Sequence, residues 1–545
     1  MGQDALKAMN TKEGLANRAY SLFEEFSSAY AQEWARLEEA ERMYFGDHWH
    51  LVPELDPNEP RPVTPVLQST VENIAADLID LMPEASILAR TPEDENAARL
   101  TEALIRENHA SNCYEREYRQ LCHDLLVGGY MVQEVGYDPS LFGGFGGAFI
   151  RHADNMGILF DPLCSDIQEG RAVIKFGLRT IEWLKARFPM FEGESDGYSA
   201  KRLPHDVLLG ANRHKCALLL EFWWREYDED TGASRLHMAQ LTGGKVVADS
   251  RRAKPEGYFS HGKYPFIVTA LYPRKGSCLG YGLVDMFKRQ QQYADKLDQI
   301  VLKNALMASH NKLLVTHASG FDTDDLRDWS KEVHTGESLN GITWFTTPPL
   351  PAYIMQYIQL MRETIKDESG ANDFSRGGIA GGITAASAIA ALQEMSSKRS
   401  RMISAQMHEA YREAVRLEIE VERELNILPR TVYFTVDGER TSGLFDSGTL
   451  KRRLPGGKMQ PIDFSVLIKV QKQNRWSVLG QNELVLQMLS LGVLTSEQAV
   501  ELMHFEGKEL VLKRAKQNAA NSKHLEPASF GENRNFQQQN LKSLK

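Results

Sequence analysis

Apolar residues step by three and four through the first segment: Leu15, Tyr20, Leu22, Phe23, Phe26, Tyr30, Trp34 and Leu37 fall on one side of a helical repeat. The pattern predicts a helix ending near MYFGDHWH (43–50), where Gly46 interrupts it. Pro53, Pro57, Pro60, Pro62 and Pro65 then mark an extended connector, because proline lacks the N–H that a helix needs. VLQSTVENIAADLIDLM (66–82) reads as a second helix stopped by Pro83, and residues 95–127 as one or two more, ending at Gly128-Gly129. The period then shortens. MVQEVGYD, GAFIRHAD and GILFDPLC read as short strands, with FGGFGG (142–147) as a hairpin tip. IEWLKARFP (181–189) reads as a short helix, ALLLEFWWREYDED and RLHMAQLTGGKVVADS as a strand and hairpin, and YPFIVTALYP (264–273) as a strand.

Residues 281–310 form a proline-free helical run, 311–349 a mixed segment with KLLVTH and ITWFTT as strands, and 350–368 a matching helix. A glycine-rich stretch opens SRGGIAGGITAASAIAALQE (375–394) and feeds a very long helix, 385–426. There Ile403, Met407, Ala410, Ala414, Leu417, Val421 and Leu425 form one apolar stripe, and Glu409, Arg412, Glu413, Arg416, Glu420 and Arg423 a solvated face of mixed charge. TVYFTVDG and PIDFSVLIKVQ are further strands, with a basic turn, LKRRLPGGK (450–458), between them; helices resume near 480–515. The fold class is α+β, mainly helical, without an internal repeat.

Composition narrows the function. The 545 residues are 42% hydrophobic and 25% charged, with a net charge of −10, which argues against a broad basic face gripping nucleic acid. No apolar run is long enough to span a membrane, and MGQDALKAMNTKEG predicts neither a signal peptide nor a myristoylation site. The five cysteines (113, 122, 164, 216, 278) are dispersed, so no disulfide framework is expected. Residues 518–545 are rich in Asn and Gln, a composition that is disordered when alone in solution.

Candidate chemistry fares poorly. Gly377, Gly382 and Thr384 match three fixed positions of a phosphate-binding loop, but Ile383 stands where the lysine belongs, and no strand precedes them. ALLLEFWW, taken as a strand ending in Glu221, reads as a core strand with a terminal acid rather than as the second nucleotide motif. His48 and His50, the adjacent Cys122-His123, and the scattered His310, His317 and His334 lack a third ligand at useful spacing. There is no nucleophile elbow, and Asp324-Asp325 reads as a solvated turn. No catalytic residue, metal or cofactor is expected. The order of elements says more: two long helices with a compact insertion between them. Leu297, Ile300, Val301, Leu306, Ile354, Ile358 and Leu360 offer packing, while Lys288, Arg289, Lys296, Lys303, Arg362 and Lys366 alternate with Asp285, Asp295, Asp298, Glu363 and Asp367. One helical hairpin buries too little alone. Identical hairpins packed in a ring would cover the apolar stripe and leave charge facing a channel.

Over about residues 15–515 the chain resembles the portal proteins of tailed double-stranded DNA bacteriophages. The resemblance rests on MYFGDHW (43–49), RPVTPVLQSTVENIAADLIDLMP (61–83), ILFDPLCSDIQEGRAVIKF (158–176), YPFIVTALYPRKGSCLGYGLVDMFKRQQQYADKLDQ (264–299) and ITAASAIAALQE (383–394), in that order; podovirus-type portals are the nearest in kind. It implies a homo-oligomeric ring, usually dodecameric, at one capsid vertex of the virion, assembled in the bacterial cytoplasm. Its parts would be N-terminal helices and an α+β wing (1–280), stem helices (281–308 and 350–372), a clip (309–349), a tunnel loop (373–384), a long wing helix with wing strands (385–475), crown helices (476–517) and a polar tail (518–545). Double-stranded DNA would pass the tunnel loop, Asn372, Asp373, Phe374, Ser375, Arg376, Gly377, Gly378, Ile379, Gly381, Gly382, Ile383 and Thr384, and the stem charges Lys288, Arg289, Lys296, Lys303, Arg362 and Lys366. Arg376 reads either as a phosphate contact or as a charge that solubilises the loop. Asp322, Asp324, Asp325, Arg327 and Trp329 would dock terminase and the head–tail adaptor or tail proteins; the major capsid protein is a further partner. The alternatives are a nucleotide-binding enzyme built on 377–384 and another virion structural or adaptor protein.

Overall fold

The structure, a computed structural model, describes residues 11–50, 52, 59–193, 215–227, 234–309, 312–328, 330–345, 348–370, 398–436, 439–453, 457–470, 475–503, 508 and 511. The chain divides into two compact units, Met1–Phe434 with Ser442–Val470, and Thr435–Thr441 with Gln471–Lys545. The tunnel-loop residues 372–384, the first part of the helix expected over 385–426, Trp329, His310 and the tail 518–545 lie outside the described residues.

In the first unit, α1 (Lys12–Tyr44) is capped by Thr11, whose hydroxyl accepts the Gly14 N–H at 3.1 Å. Its apolar side buries Leu15, Phe23, Phe26, Tyr30 and Leu37, and Gly46, at φ +85°, ends it. α2 (Val66–Asp80) follows the connector. The strand β1 (Pro83–Ala89) comes next, then α3 (Glu95–Ser111) and α4 (Tyr114–His123). β1 is a correction: the sequence reading stops at Pro83 and assigns nothing there. The strand pairs antiparallel with β18 (Phe464–Val470), Pro83 opposite Val470 and Ala89 opposite Phe464, so its partner lies far along the chain.

β2 (Tyr130–Asp138) is the centre of a three-stranded antiparallel sheet, between β3 (Gly147–His152) and β9 (Phe266–Ala270). FGGFGG does lie at the β2–β3 tip, where Asp138 pairs with Gly147. The second sheet runs in order β4 (Ile158–Phe160), β5 (Ala172–Thr180), β6 (Cys216–Tyr227), β7 (Ser234–Thr242) and β8 (Lys245–Asp249), all antiparallel, with α5 (Ile181–Arg187) after β5. β6 is central, and both its faces are covered: Leu218, Leu220, Phe222, Trp223 and Trp224 are all buried. This explains its unbroken apolar run. Phe23 and Trp34 of α1 meet Phe176 of β5 edge-on, at 5.3 and 5.9 Å. Glu221 lies in mid-strand, not at its end. Burial, and then neighbouring Glu134, push its carboxyl above the usual range, and it accepts the Trp223 indole N–H at 2.7 Å.

The strand expected over 264–273 divides into β9 and the short β10 (Tyr272–Pro273), which pairs with β11 (Gly280–Tyr281). Two long helices follow, α6 (Leu283–Ser309) and α7 (Tyr353–Ser369), with the hairpin β12 (Lys312–Val315) and β13 (Ile342–Phe345) between them. α8 (Lys398–Leu425) packs across β2, β3 and β9, burying Ile403, Met407, Ala410, Ala414 and Val421. One residue of its expected solvated face is corrected: Arg423 is 7% exposed and donates to the Ile462 carbonyl at 2.6 Å. Beneath α8, Asn108 donates to Glu422 at 2.7 Å and to Glu418 at 3.1 Å, and the Ala148 N–H reaches Glu422 at 2.8 Å. Burial pushes the Glu422 carboxyl up, and these donors satisfy it. The strands β14 (Arg430–Val436), β15 (Glu439–Phe445), β16 (Lys451–Arg453), β17 (Met459–Pro461) and β18 (Phe464–Val470) follow. The sequence reading merged β15 to β17 into a link between two strands; Lys451–Arg453 of LKRRLPGGK, expected in a turn, are β16 itself, paired antiparallel with β17. In the second unit α9 (Arg475–Ser490) precedes α10 (Ser496–Leu502), which opens on a capping box between Thr495 and Gln498.

The entry to α6 is fixed by backbone meeting backbone. A Cβ on Gly282 would lie 2.4 Å from the Val127 carbonyl oxygen, and one on Gly129, at φ +88°, 2.4 Å from the Gly282 nitrogen. No side-chain movement relieves such a clash. Gly282→Ala is therefore expected to destabilise the protein by about 3 kcal/mol, seen as a lower urea midpoint. Gly177→Ala, whose Cβ would meet nothing, should not lower it comparably.

Candidate functional site

The candidate site is the α6–α7 pair and the head it carries. α6 leaves the core along its length: Leu283, Val284, Phe287, Gln291, Ala294 and Asp295 are buried, and no residue from Lys296 to Ser309 is. The outgoing half is instead held by the described end of the proline-rich connector, residues 59–65, which contacts one side of it. Prolines supply carbonyls but no N–H groups, and glutamines of α6 donate to the connector's carbonyls. Gln291 Nε2 donates to the Thr64 carbonyl at 2.7 Å, and Gln299 Nε2 to the Pro60 carbonyl at 3.0 Å. The Leu67 N–H returns a bond to Gln291 Oε1 at 3.1 Å. Trp49 Nε1 fixes the remaining turn through the Pro62 carbonyl at 3.0 Å.

Asp295 is the buried centre of this contact. Its Oδ2 lies 2.5 Å from His48 Nδ1, both side chains 2% exposed, and its Oδ1 accepts from Gln291 at 2.9 Å. His48 Nε2 faces the Met43 carbonyl at 2.9 Å. One turn on, Asp298 accepts from Thr64 Oγ1 at 3.0 Å and from Arg362 Nη2 of α7 at 2.6 Å. Connector, α6 and α7 are thus joined through one carboxylate. At the root, Arg36 pairs with Asp285, which also accepts the Gly282 N–H at 3.0 Å.

The opposite side of α6 carries large apolar side chains at a seven-residue interval: Met286, Tyr293, Ile300 and Met307 are 50, 61, 48 and 43% exposed. α7 adds Tyr353, Tyr357 and Leu360, also exposed. Each keeps at least 43% of its surface open among the described residues.

A comparison with protein families matches residues 20–543 to the phage P22-like portal protein family. The chain belongs to that family. A search of curated proteins gives no match. As a phage portal protein, it is a virion component, and the podovirus-type resemblance is consistent with this family.

The expected site residues of this portal protein separate into groups. Lys288 pairs with Glu39 at 3.0 Å, Lys303 with Glu59, and Arg362 with Asp298. Arg289 and Lys296 are exposed and make no ion pair among the described residues; Lys366 is half-buried. In the head, Asp322 caps the helical turn Thr323–Arg327, accepting the Asp324 N–H at 3.0 Å. Asp325 pairs with Lys331, which holds its carboxyl below the usual range, and Arg327 with Asp324 at 3.4 Å. The head's exposed apolar residues, Val333, Leu339 and Trp344, escaped the sequence reading, as did the connector contact. Its signal was present: Gln291, Asp295, Asp298 and Gln299 recur at helical spacing opposite the prolines. Among the described residues, no helix is long and apolar enough to cross a membrane, and no group of three or more His, Cys, Asp or Glu side chains could hold a metal.

Removing one member of a buried pair strands the other. Asp295→Ala is expected to cost about 3 kcal/mol and to lower the thermal midpoint of the first unit. Lys303→Ala, at a pair 53% exposed on the lysine side, should stay within about 0.5 kcal/mol.

Proposed function

We propose that this portal protein assembles into a ring, dodecameric on the family pattern, at one capsid vertex, and that double-stranded DNA is packaged and ejected through its channel without catalysis by the protein itself. Assembly would take place in the host cytoplasm. In this reading α6 and α7 are the stem, residues 309–349 the clip, 373–384 the tunnel loop and 476–517 the crown. The clip residues Asp322, Asp324, Asp325, Arg327 and Trp329 dock terminase and then the head–tail adaptor, and the capsid protein surrounds the wing. The nucleotide-enzyme alternative rests on residues 377–384 alone, and the family assignment gives it no support.

The observation that carries the ring is the exposed seven-residue stripe Met286, Tyr293, Ile300 and Met307 on α6, beside Tyr353, Tyr357 and Leu360 on α7. An apolar stripe left exposed along one helix face is a surface on which a neighbouring helix can pack. A cyclic array of identical copies covers every such surface while leaving none open. The charge pattern supports weak handling of DNA. Each phosphate contact made by a free cation adds affinity, and Lys288, Lys303 and Arg362 are already engaged by carboxylates. Arg289, Lys296 and the half-buried Lys366, which make no ion pair among the described residues, are left as the stem cations available to a passing backbone.

Native mass spectrometry and negative-stain microscopy test this directly. The wild-type protein is expected to form closed rings with a central channel. Tyr293→Lys combined with Ile300→Lys should yield folded monomers, with unchanged circular dichroism, because both side chains are exposed in the single chain. Rings that survive the double substitution would remove the α6 stripe as the assembly seam.

A further inference from the structure

The three-stranded sheet β3–β2–β9 has two edges, and their backbone groups are met differently. On β3, residues that point their N–H and C=O away from β2 are answered by side chains. The Ala148 N–H donates to Glu422 at 2.8 Å, the Ala148 carbonyl accepts from Asn112 Nδ2 at 3.2 Å, and the His152 N–H donates to Glu117 at 3.0 Å. On β9 the alternation follows from the bonds at its two ends. The Val135 N–H donates to the Pro265 carbonyl at 2.9 Å, and the Leu271 N–H to the Gly129 carbonyl at 2.9 Å. Odd-numbered residues from 265 to 271 therefore face β2, and Phe266, Val268 and Ala270 face outward. Gln168 Nε2 reaches the Phe266 carbonyl at 3.4 Å. Among the described residues nothing bonds the outward N–H and C=O groups of Val268 and Ala270, which line a groove of about 470 Å³.

We propose that this groove docks an extended, basic segment of a partner protein, which joins the sheet as a further strand on β9. A row of unpaired strand groups is a template for another strand. Strand addition takes its affinity from main-chain bonds and its specificity from alternate side chains. Three residues of an antiparallel segment suffice. One exchanges both bonds with Val268, and the residue two places away does so with Ala270, a spacing of about 6.8 Å. The lining decides what the segment carries. Ile167 and Ala410 offer apolar contact to its small side chains. Gln406 Oε1 is enclosed without a donor among the described residues, and accepts a further N–H. Asp166, Glu409 and Glu413 also line the groove, whereas no Lys, Arg or His among the described residues does. Arg412 and Arg416 pair with the two glutamates from elsewhere on α8, but pairs so exposed contribute little. The complementary charge is therefore a lysine or arginine flanking the docked strand.

The test uses the full-length protein and a labelled, end-blocked peptide, KKVTVKK, followed by fluorescence anisotropy and hydrogen–deuterium exchange. Saturable binding is expected, with slowed exchange over residues 266–270. The same peptide N-methylated at both valines, which keeps its charge and loses two donors, should bind at least about tenfold more weakly. Val268→Pro removes an outward N–H and spares every bond to β2, and should weaken binding at least about fivefold. Glu409→Gln combined with Glu413→Gln should weaken binding and flatten its salt dependence; this variant carries the test if Val268→Pro does not fold. Absence of saturable binding overturns the proposal. So does equal binding of the methylated peptide, which would mean attraction by charge alone, or equal binding to the double glutamine variant. Slowed exchange over 266–270 on ring assembly without peptide would give the groove to a second copy of this chain and overturn it as well.

Discussion

A carboxylate with no water around it must be met by donors, and Asp295 is such a group. His48, Gln291 and the Thr64 N–H converge on it from three different segments of chain. Around this point the extended connector is laid along α6, and Asp298 carries the contact to Arg362 of α7. A helix that departs from its own core has little apolar contact to fix its direction. Here the direction comes from hydrogen bonds to connector carbonyls, Gln291 to Thr64 and Gln299 to Pro60, which have no competing intrachain ladder to join. A polar anchor of this kind is more directional than an apolar one, since each bond requires a defined donor angle.

The anchor also explains how exposed apolar residues persist along the outer half of α6. A free amphipathic helix would fold back and cover Tyr293, Ile300 and Met307. Tied at Asp295, Asp298 and Gln299 along the other side, α6 cannot roll to hide them. On the ring reading, the single chain holds its seam open for the next copy, and assembly is the step that buries it. The Gly129, Gly280 and Gly282 approach works in the same direction, because side chains there would push the start of α6 away from the turn at 124–128.

Much of this was legible in the sequence. α1, α6, α7 and the described part of α8 carry periods long enough to be unambiguous, and the apolar run of β6 announced a strand covered on both faces. What escaped depended on partners remote along the chain. β1 is a short apolar segment whose meaning comes from β18. Lys288, Lys303 and Arg362 look free until Glu39, Glu59 and Asp298 are brought beside them. The stem packing set chosen from sequence mixed two faces: Ile300, Leu306 and Leu360 are exposed, whereas Leu297 and Val301 are half-buried and Ile358 is buried. Spacing alone gives a stripe's existence; which side turns inward is decided by what the rest of the chain places against it. The glycine loop that first suggests a phosphate cradle is separate from these observations, since they concern the helices on either side of it.

Helix geometry lets the three roles of α6 coexist. At 100° per residue, the connector contacts centred on Gln291, Asp295, Asp298 and Gln299 lie on about the opposite face from Met286, Tyr293 and Ile300. Arg289 and Lys296 lie about 60° round from that apolar line. The inner face is committed to the protein's own chain and the outer to apolar contact, with Arg289 and Lys296, which make no ion pair among the described residues, along the border. If neighbouring helices pack on the apolar line, each border repeats once per copy, so cations recur round a channel as isolated charges rather than as a continuous band. On the proposed reading, DNA phosphates passing such an array would meet many weak contacts and no strong one, which favours movement over capture.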